Sequence, residues 1–206
     1  MRPSLNAERS SEEVSNAKRK LRRRMRALRL VADQKHGPDA VLAVLHHCLA
    51  GLDRIGIRPG TVVAGYWPIV TEIDVRPLLA RLIAAGASAA LPVLSAPDAP
   101  LLFRRWSIAD DLEDGPRGTR QPGPSAPLVI PDVVLVPLLA VDARGCRLGQ
   151  GGGHYDRTLA ALRADRPTVA VGVGYAIQQI DEVPAAADDQ RVDWILTDAG
   201  LTRATG

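Results

Sequence analysis

A glycine-rich segment from Asp142 to Arg157 contains the residues best suited to bind an anion. Glycine lacks a Cβ, so a backbone rich in it can turn sharply and approach a ligand closely. Successive backbone N–H groups at the start of a helix form a site for phosphate. The segment places four glycines between two arginines: Arg147, Gly149, Gly151, Gly152, Gly153 and Arg157. We therefore predict a phosphate site, with a flexible connector as the alternative, because the segment contains neither a Walker motif nor a clean GxGxxG pattern.

A second concentration of charge lies near the N-terminus. Eight of the 26 Lys and Arg residues fall between Lys18 and Arg29, although the net charge of the chain is only +3. Apolar residues recur at helical spacing from about Val14, which predicts an amphipathic helix. Lys18, Arg22 and Arg26 then share one face of that helix. This stripe indicates an anionic partner, and a phosphorylated ligand, nucleic acid and a membrane surface all fit it. The alternative is a basic face that is simply solvated.

The rest of the chain alternates between strand and helix patterns, and these elements must position the two charged segments. Helices are predicted at Asp39–Leu52, Val75–Ala85 and about Tyr155–Ala164. Strands are predicted at Thr61–Trp67, Ser88–Leu94, Leu101–Trp106, Val133–Val141, Thr168–Val173 and Val192–Thr197. Strands separated by helices predict an α/β fold with a largely parallel sheet. Open sheets of this kind bind ligands beyond the carboxyl ends of their strands, where the glycine-rich segment is expected to lie.

The composition fits a single catalytic domain of 206 residues, in which residues 1–12 are expected to be disordered. No run reaches the ~18–20 apolar residues that span a bilayer, and the first residues lack the apolar stretch of a signal peptide. Cys48 and Cys146 lie too far apart for a metal-binding motif, so we expect free thiols in a reducing cytoplasm.

Four segments of the chain together resemble one known family. Arg147-Leu-Gly-Gln-Gly-Gly-Gly-His-Tyr-Asp-Arg157, preceded by Val136-Pro-Leu-Leu-Ala-Val-Asp142, resembles the signature of the 5-formyltetrahydrofolate cyclo-ligase family. The other three segments are Ala17-Lys-Arg-Lys-Leu-Arg22, Gly65-Tyr-Trp-Pro-Ile-Val-Thr-Glu-Ile-Asp74 and Val183-Pro-Ala-Ala-Ala-Asp-Asp-Gln-Arg-Val-Asp-Trp-Ile-Leu-Thr197. The match spans roughly residues 15–197.

This resemblance implies a fold and a reaction. The fold is a three-layer α/β/α sandwich with a largely parallel sheet. The reaction converts 5-formyltetrahydrofolate and ATP into 5,10-methenyltetrahydrofolate, ADP and phosphate, with Mg²⁺ as the cofactor. The formyl oxygen takes the γ-phosphoryl group, N10 of the folate attacks the activated carbon, and phosphate leaves. The protein then supplies positioning and charge neutralisation, as in other phosphoryl transfers.

The resemblance also assigns roles to individual residues. Arg147 and Tyr155 are implied as catalytic residues, and Asp156 and Asp189 as Mg²⁺ ligands. The implied ATP contacts are Lys18, Arg19, Lys20, Leu21, Arg22, Arg147, Leu148, Gly149, Gln150, Gly151, Gly152, Gly153, His154 and Tyr155. The implied folate contacts are Trp67, Glu72, Gln150, Gly151, Gly152, Gly153 and His154. The implied partners are therefore two small molecules, with no nucleic acid or membrane, and the protein is expected to be a monomer or weak dimer.

Several of these residues have a simpler interpretation from the sequence alone. Glu72 fits an exposed carboxylate at a strand end, and Tyr155 fits core packing. Asp156 fits a favourable charge at a helix N-terminus, and Asp189 fits a turn. His154 replaces a residue that is usually aromatic in the family, and as an imidazolium it would donate to phosphate.

Two other functions remain open at this point. A nucleic-acid-binding protein would use the basic helix, although only 3% of residues are aromatic. A related α/β enzyme acting on another heterocycle or on a sugar phosphate, or an acyl-carrier transferase, would share the fold but not the chemistry.

Overall fold

The computed structural model describes residues 5–206, with side chains from Glu12 onward apart from that of Arg117. The α-helices are α1 (Leu5–Ala50), α2 (Leu52–Ile55), α3 (Arg76–Ala84) and α4 (His154–Asp165). The strands are β1 (Val62–Ala64), β2 (Ser88–Val93), β3 (Leu102–Trp106), β4 (Leu112–Asp114), β5 (Arg120–Pro122), β6 (Val133–Pro137), β7 (Ala140–Val141), β8 (Arg147–Leu148), β9 (Val169–Val173), β10 (Trp194–Thr197) and β11 (Gly200–Arg203). Short 3₁₀ turns cover Pro116–Gly118 and Ala176–Gln178.

Seven strands form one central sheet in the order β11-β10-β9-β6-β1-β2-β3. The inner pairs β10–β9, β9–β6, β6–β1 and β1–β2 are parallel, whereas the edge pairs β10–β11 and β2–β3 are antiparallel. The prediction of a largely parallel sheet is therefore confirmed. Strands β4–β5 and β7–β8 form two separate antiparallel hairpins.

Alternating side chains of the strands divide the core between the two faces of the sheet. On one face, Val63 and Leu135 pack with α1 and with Leu79 of α3. On the other face, Ala64 and neighbouring small residues pack with Leu159 of α4. Helices therefore cover both faces, which confirms the three-layer α/β/α sandwich.

Helix α1 differs from the prediction of two separate helices. It runs through Gly37 and Pro38, although proline lacks the N–H for one helical hydrogen bond. Ala40, Val44 and Cys48 are buried against the sheet on the far side of the proline, and this packing stabilises a continuous helix. The helix also begins inside the segment 1–12 that was predicted to be disordered, and residues 1–4 lie outside the described part.

The first half of α1 has its own buried contacts. Met25 packs with Leu139, Cys146 and Leu148 from the β7–β8 hairpin and the turn that precedes it. This contact brings the basic helix next to the glycine-rich segment, which follows β8. Within the described residues, no helix has the length and apolar character required to cross a membrane.

Two further differences concern strands. The apolar run Val133–Val141 was predicted to be one strand, but β6 ends at Pro137, which cannot continue a central hydrogen-bond ladder. The chain then turns and forms β7, which pairs with β8 rather than with the central sheet. The antiparallel edge strand β11 was not predicted at all, because Gly200–Arg203 is short and half polar.

Candidate active site

One cavity of about 650 Å³ lies beyond the carboxyl ends of the parallel strands. Residues that follow β1, β2 and β6 form its base, as expected for an open α/β sheet. The N-terminal half of α1, the glycine-rich segment and the loop 186–189 form its walls. The structure therefore brings together four segments that are distant in the sequence.

The glycine-rich segment connects β8 to α4 and needs glycine at specific points. Gly151 and Gly153 have φ angles of 110° and 65°, a region that side chains with a Cβ rarely adopt. A Cβ on Gly153 would also lie 2.6 Å from Nη1 of Arg157. By contrast, a Cβ on Gly149 would have no heavy atom within 4 Å, so the backbone there is open to an approaching ligand.

Arg147 is buried at the base of this segment. Its Nη2 donates to Oδ1 of Asp156 at 2.9 Å, which connects β8 to the first turn of α4. Its Nε is buried, and no hydrogen-bond partner for it is found within the described residues. A buried guanidinium with a spare donor at the wall of a cavity is well suited to bind an anion.

Two residues of the basic stripe of α1, Lys18 and Arg22, line the cavity, whereas Arg26 is exposed. Lys18 makes a salt bridge with Asp189, with Nζ–Oδ distances of 2.7 and 2.5 Å. Arg22 donates through Nε to the carbonyl oxygen of Gly149 at 3.0 Å. Arg26 donates to Oε1 of Gln150 at 3.0 and 3.2 Å. The three cations therefore bind the loop 186–189 and the glycine-rich segment.

Three residues that the sequence analysis assigned to ATP do not line the cavity. Arg19 and Lys20 are exposed, and Arg19 donates to Asn16 on its own helix. Leu21 packs against the small core cluster around Met25. At helical spacing Lys20 faces away from Lys18 and Arg22, whereas Arg19 and Leu21 flank the two residues on either side. Of the assigned segment, only Lys18 and Arg22 reach the site.

The two predicted metal-binding carboxylates lie in the cavity wall and are connected to each other. Oδ1 of Asp156 accepts the backbone N–H of Gln190, the residue after Asp189, at 3.0 Å. Each carboxylate also pairs with a cation, Asp156 with Arg147 and Asp189 with Lys18. Within the described residues, no three His, Cys, Asp or Glu side chains gather into a metal site. Two carboxylates fit Mg²⁺ in the usual way, in which phosphate oxygens and waters complete the coordination.

Two of the predicted folate contacts, Trp67 and Glu72, follow β1 and line the cavity. The ring of Trp67 stacks on the guanidinium of Arg76, 4.5 Å from the ring centroid. Arg76 is in turn held by Asp74. Tyr155 of α4 lines the cavity and also packs against the core cluster that contains Leu159. Burial raises the pKa of its hydroxyl, as does the charge of Glu72.

Glu72 is not the exposed carboxylate that its position at a strand end suggested. Its side chain is only 5% exposed. Burial raises the pKa of this carboxyl, and the N–H of Ile69, the charge of Arg29 and the side chain of Gln150 oppose that effect. The result is a buried acceptor for hydrogen bonds in the lining of the cavity.

His154 lies at the first position of α4 and lines the cavity as predicted. Nη2 of Arg157 lies 3.2 Å from Nδ1 of His154. The role of His154 as a donor to phosphate stays a prediction.

Part of the cavity lining was not predicted from the sequence. The β4–β5 hairpin contributes Pro116, Thr119, Arg120 and Gln121 from a stretch rich in Pro, Gly and Asp. Tyr66, Ile69 and Leu138 add apolar surface. These three residues lie in the segments Gly65–Asp74 and Val136–Asp142 that resemble the family, but no role was assigned to them.

Comparisons with known proteins agree with this geometry. A model of the 5-formyltetrahydrofolate cyclo-ligase family matches residues 14–198. A 5-formyltetrahydrofolate cyclo-ligase of Mycolicibacterium smegmatis is 35% identical over 177 residues, which cover 82% of this chain and 89% of that protein. The protein of the same name from Haemophilus influenzae is 30% identical over 174 residues, 81% of this chain and 90% of that protein.

A solved structure gives the same result. The 5,10-methenyltetrahydrofolate synthetase of Aquifex aeolicus superposes with a TM-score of 0.74 at 26% identity, covering 92% of this chain and 93% of that one. The resemblance found in the four sequence segments is therefore confirmed over nearly the whole chain. The chain belongs to the 5-formyltetrahydrofolate cyclo-ligase family, and it is an enzyme of that kind.

Proposed function

We propose that this enzyme converts 5-formyltetrahydrofolate to 5,10-methenyltetrahydrofolate and uses ATP as the second substrate, releasing ADP and phosphate. The observation that carries the proposal is the shared cavity. Its lining contains Lys18, Arg22 and Arg147, which suit phosphates, and also Trp67 and Glu72, which suit a nitrogen heterocycle. Two substrates that must react with each other need such a common space.

In the proposed reaction the formyl oxygen attacks the γ-phosphorus of ATP, and ADP leaves. N10 of the folate then attacks the activated formyl carbon, the ring closes, and phosphate leaves with the former formyl oxygen. The charge that moves during these steps lies on phosphate oxygens, which Lys18, Arg22, Arg147 and the N–H groups of the glycine-rich segment would bind. Tyr155 also lines the cavity and would support the folate ring.

We also propose Mg²⁺ as the cofactor, held by Asp156 and Asp189 together with phosphate oxygens. The ion would neutralise the charge that develops on the phosphates. In this structure Lys18 and Arg147 already neutralise these two carboxylates. When the nucleotide binds with its ion, the two cations would pair with phosphate oxygens and the two carboxylates with Mg²⁺. No buried charge is then left unpaired.

The location and assembly of the enzyme are a smaller part of the proposal. Cys48 and Cys146 are both free and buried, which is compatible with a reducing compartment. We propose the cytoplasm as that compartment, and a monomer or weak dimer as the active form.

The direct test is formation of the methenyl product from 5-formyltetrahydrofolate. We expect its absorbance to increase in the presence of Mg²⁺ and ATP, and to stay at the baseline when ATP is omitted. ADP should form in a 1:1 ratio to the methenyl product. Absence of product at high enzyme concentration with both substrates present would contradict the proposal, and product without ATP would contradict the role of the nucleotide.

Replacing Gly149 by alanine is expected to weaken ATP binding and leave the fold intact. The added methyl group has free space in the unliganded protein, and the φ angle of Gly149 lies outside the left-handed region. A methyl group that crowds the ligand costs about 1–3 kcal/mol, which raises the KM for ATP about 5- to 150-fold. The measurement is the KM for ATP together with the melting temperature.

Gly153→Ala is the control for this prediction, and it should lose stability because of its φ of 65°. An unchanged KM for ATP in Gly149→Ala would mean that no nucleotide approaches this residue.

A further inference from the structure

Four cations of α1 lie on one side of the helix: Lys18, Arg22, Arg26 and Arg29. Arg29 is the most deeply buried of the four. Its Nε donates to Oγ1 of Thr71 at 2.9 Å, and its Nη1 lies 3.4 Å from Oε1 of Glu72. The side chains of Arg29 and Glu72 are 6% and 5% exposed. A buried arginine is retained where its charge and its fork of donors have partners, and both partners here lie in the loop that follows β1.

Glu72 is held by two further donors. Its Oε2 accepts the backbone N–H of Ile69 at 3.1 Å. The side chain of Gln150 lowers the pKa of the same carboxyl. Since Oε1 of Gln150 accepts from Arg26, its amide nitrogen is the group that can donate to Glu72. Residues from three separate segments therefore surround one carboxylate in the cavity wall.

The other charged or titratable groups near Glu72 do not replace Arg29. Tyr66 and Asp74 lie on the same side of the cavity, and Tyr155 faces Glu72 from α4. Tyr66 donates its hydroxyl to the carbonyl oxygen of Ile73, so this hydroxyl is used elsewhere. Arg147 influences Tyr155, and Arg26 reaches Glu72 only through Gln150. Arg29 is therefore the cation in direct contact with Glu72.

We propose that Arg29 is a positioning residue that keeps Glu72 ionised and oriented toward the N–H donors of the folate heterocycle. This inference rests on the proposed function, in which Glu72 faces the folate. An oriented carboxylate can accept two N–H donors from an aminopyrimidine ring, whereas a protonated one cannot. Arg29 itself lies behind Glu72, and it is absent from the lining of the cavity.

The experiment compares Arg29→Gln, Arg29→Lys and Glu72→Gln with the unmodified enzyme. In Arg29→Gln we expect the KM for 5-formyltetrahydrofolate at neutral pH to rise by about tenfold or more, and the KM for ATP to change little. Arg29→Lys keeps the charge and should recover part of this loss. The exposed Arg23→Gln on the same helix is the matched control and should behave as the unmodified enzyme.

The pH profile separates positioning from a merely structural role. Activity requires ionised Glu72, so kcat/KM for the folate falls as the pH decreases through the pKa of this carboxyl. Loss of the positive charge of Arg29 raises that pKa. The acid side of the profile should therefore move to higher pH in Arg29→Gln and stay close to its original position in Arg29→Lys. Glu72→Gln should lose this acid limb, and adding Arg29→Gln to it should cause little further loss.

Three outcomes would overturn the inference: an unchanged folate KM in Arg29→Gln, an unshifted acid limb, or fully additive effects of the two substitutions. If Arg29→Gln does not fold, the comparison of Arg29→Lys with Glu72→Gln still tests the coupling. Failure of the proposed function is distinguishable, because the unmodified enzyme would then form no methenyl product. Direct titration of folate binding, followed by tryptophan fluorescence, gives a readout that does not depend on turnover.

Discussion

Replacing Arg147 by lysine is expected to lower kcat/KM for ATP by on the order of 10²–10³-fold, comparable to the loss of one donor to a developing charge. Lysine keeps the positive charge but has no planar fork that can bind Asp156 and a phosphate oxygen together. In the structure one nitrogen of Arg147 binds Asp156, and its buried Nε has no partner within the described residues. The lost interactions are those that form as negative charge develops on the transferred phosphoryl group, so kcat should decrease more than the folate KM increases.

Arg163→Lys is the matched control for this prediction. Arg163 lies on α4, the helix whose first turn Arg147 binds through Asp156, but its own guanidinium pairs with Asp193 and it does not line the cavity. It should retain near-normal kinetics. The melting temperatures of both variants show whether Arg147→Lys acts through stability. Normal kinetics for ATP in a folded Arg147→Lys would reduce Arg147 to an anchor for the first turn of α4.

Replacing Lys18 or Arg22 by alanine is expected to raise the KM for ATP by about 10- to 150-fold, with little change in the KM for folate. Each substitution removes a charged hydrogen-bond donor, which contributes roughly 1.5–3 kcal/mol. The two side chains line the cavity next to the glycine-rich segment and the loop 186–189. Glu72 is bonded to Arg29 and Ile69 and not to Lys18 or Arg22, so the binding of folate should be largely independent of these two cations.

The same helix provides controls of equal charge. Lys20 and Arg23 are exposed and do not line the cavity, so Lys20→Ala and Arg23→Ala should leave the KM for ATP within about twofold. An equal rise of the KM in all four variants would indicate a diffuse electrostatic effect rather than specific contacts. A normal KM in Lys18→Ala and Arg22→Ala would reopen the interpretation of the helix as a surface for nucleic acid.

Local patterns were sufficient for most of the central sheet. Helix α4 and strands β2, β3 and β9 match the prediction closely, because periodic apolar residues and nearby Gly or Pro mark their ends. The continuity of α1 through Pro38 was not predictable, because it depends on packing of both halves of the helix against the rest of the protein. The pairing of β7 with β8 likewise depends on a turn that Pro137 forces on an otherwise apolar run.

The family and the α/β class follow from the amino-acid sequence alone, because they depend on motifs of consecutive residues and on local periodicity. The sequence also predicts an anion site in the glycine-rich segment, and it puts Lys18 and Arg22 on one helical face, since that spacing is local. Which distant side chains meet depends on tertiary packing. Lys18 reaches Asp189 across 171 positions, and Arg29 reaches Glu72 across 43. These ion pairs depend on how α1 packs against the carboxyl end of the sheet, and no local pattern of charge or hydropathy specifies that placement.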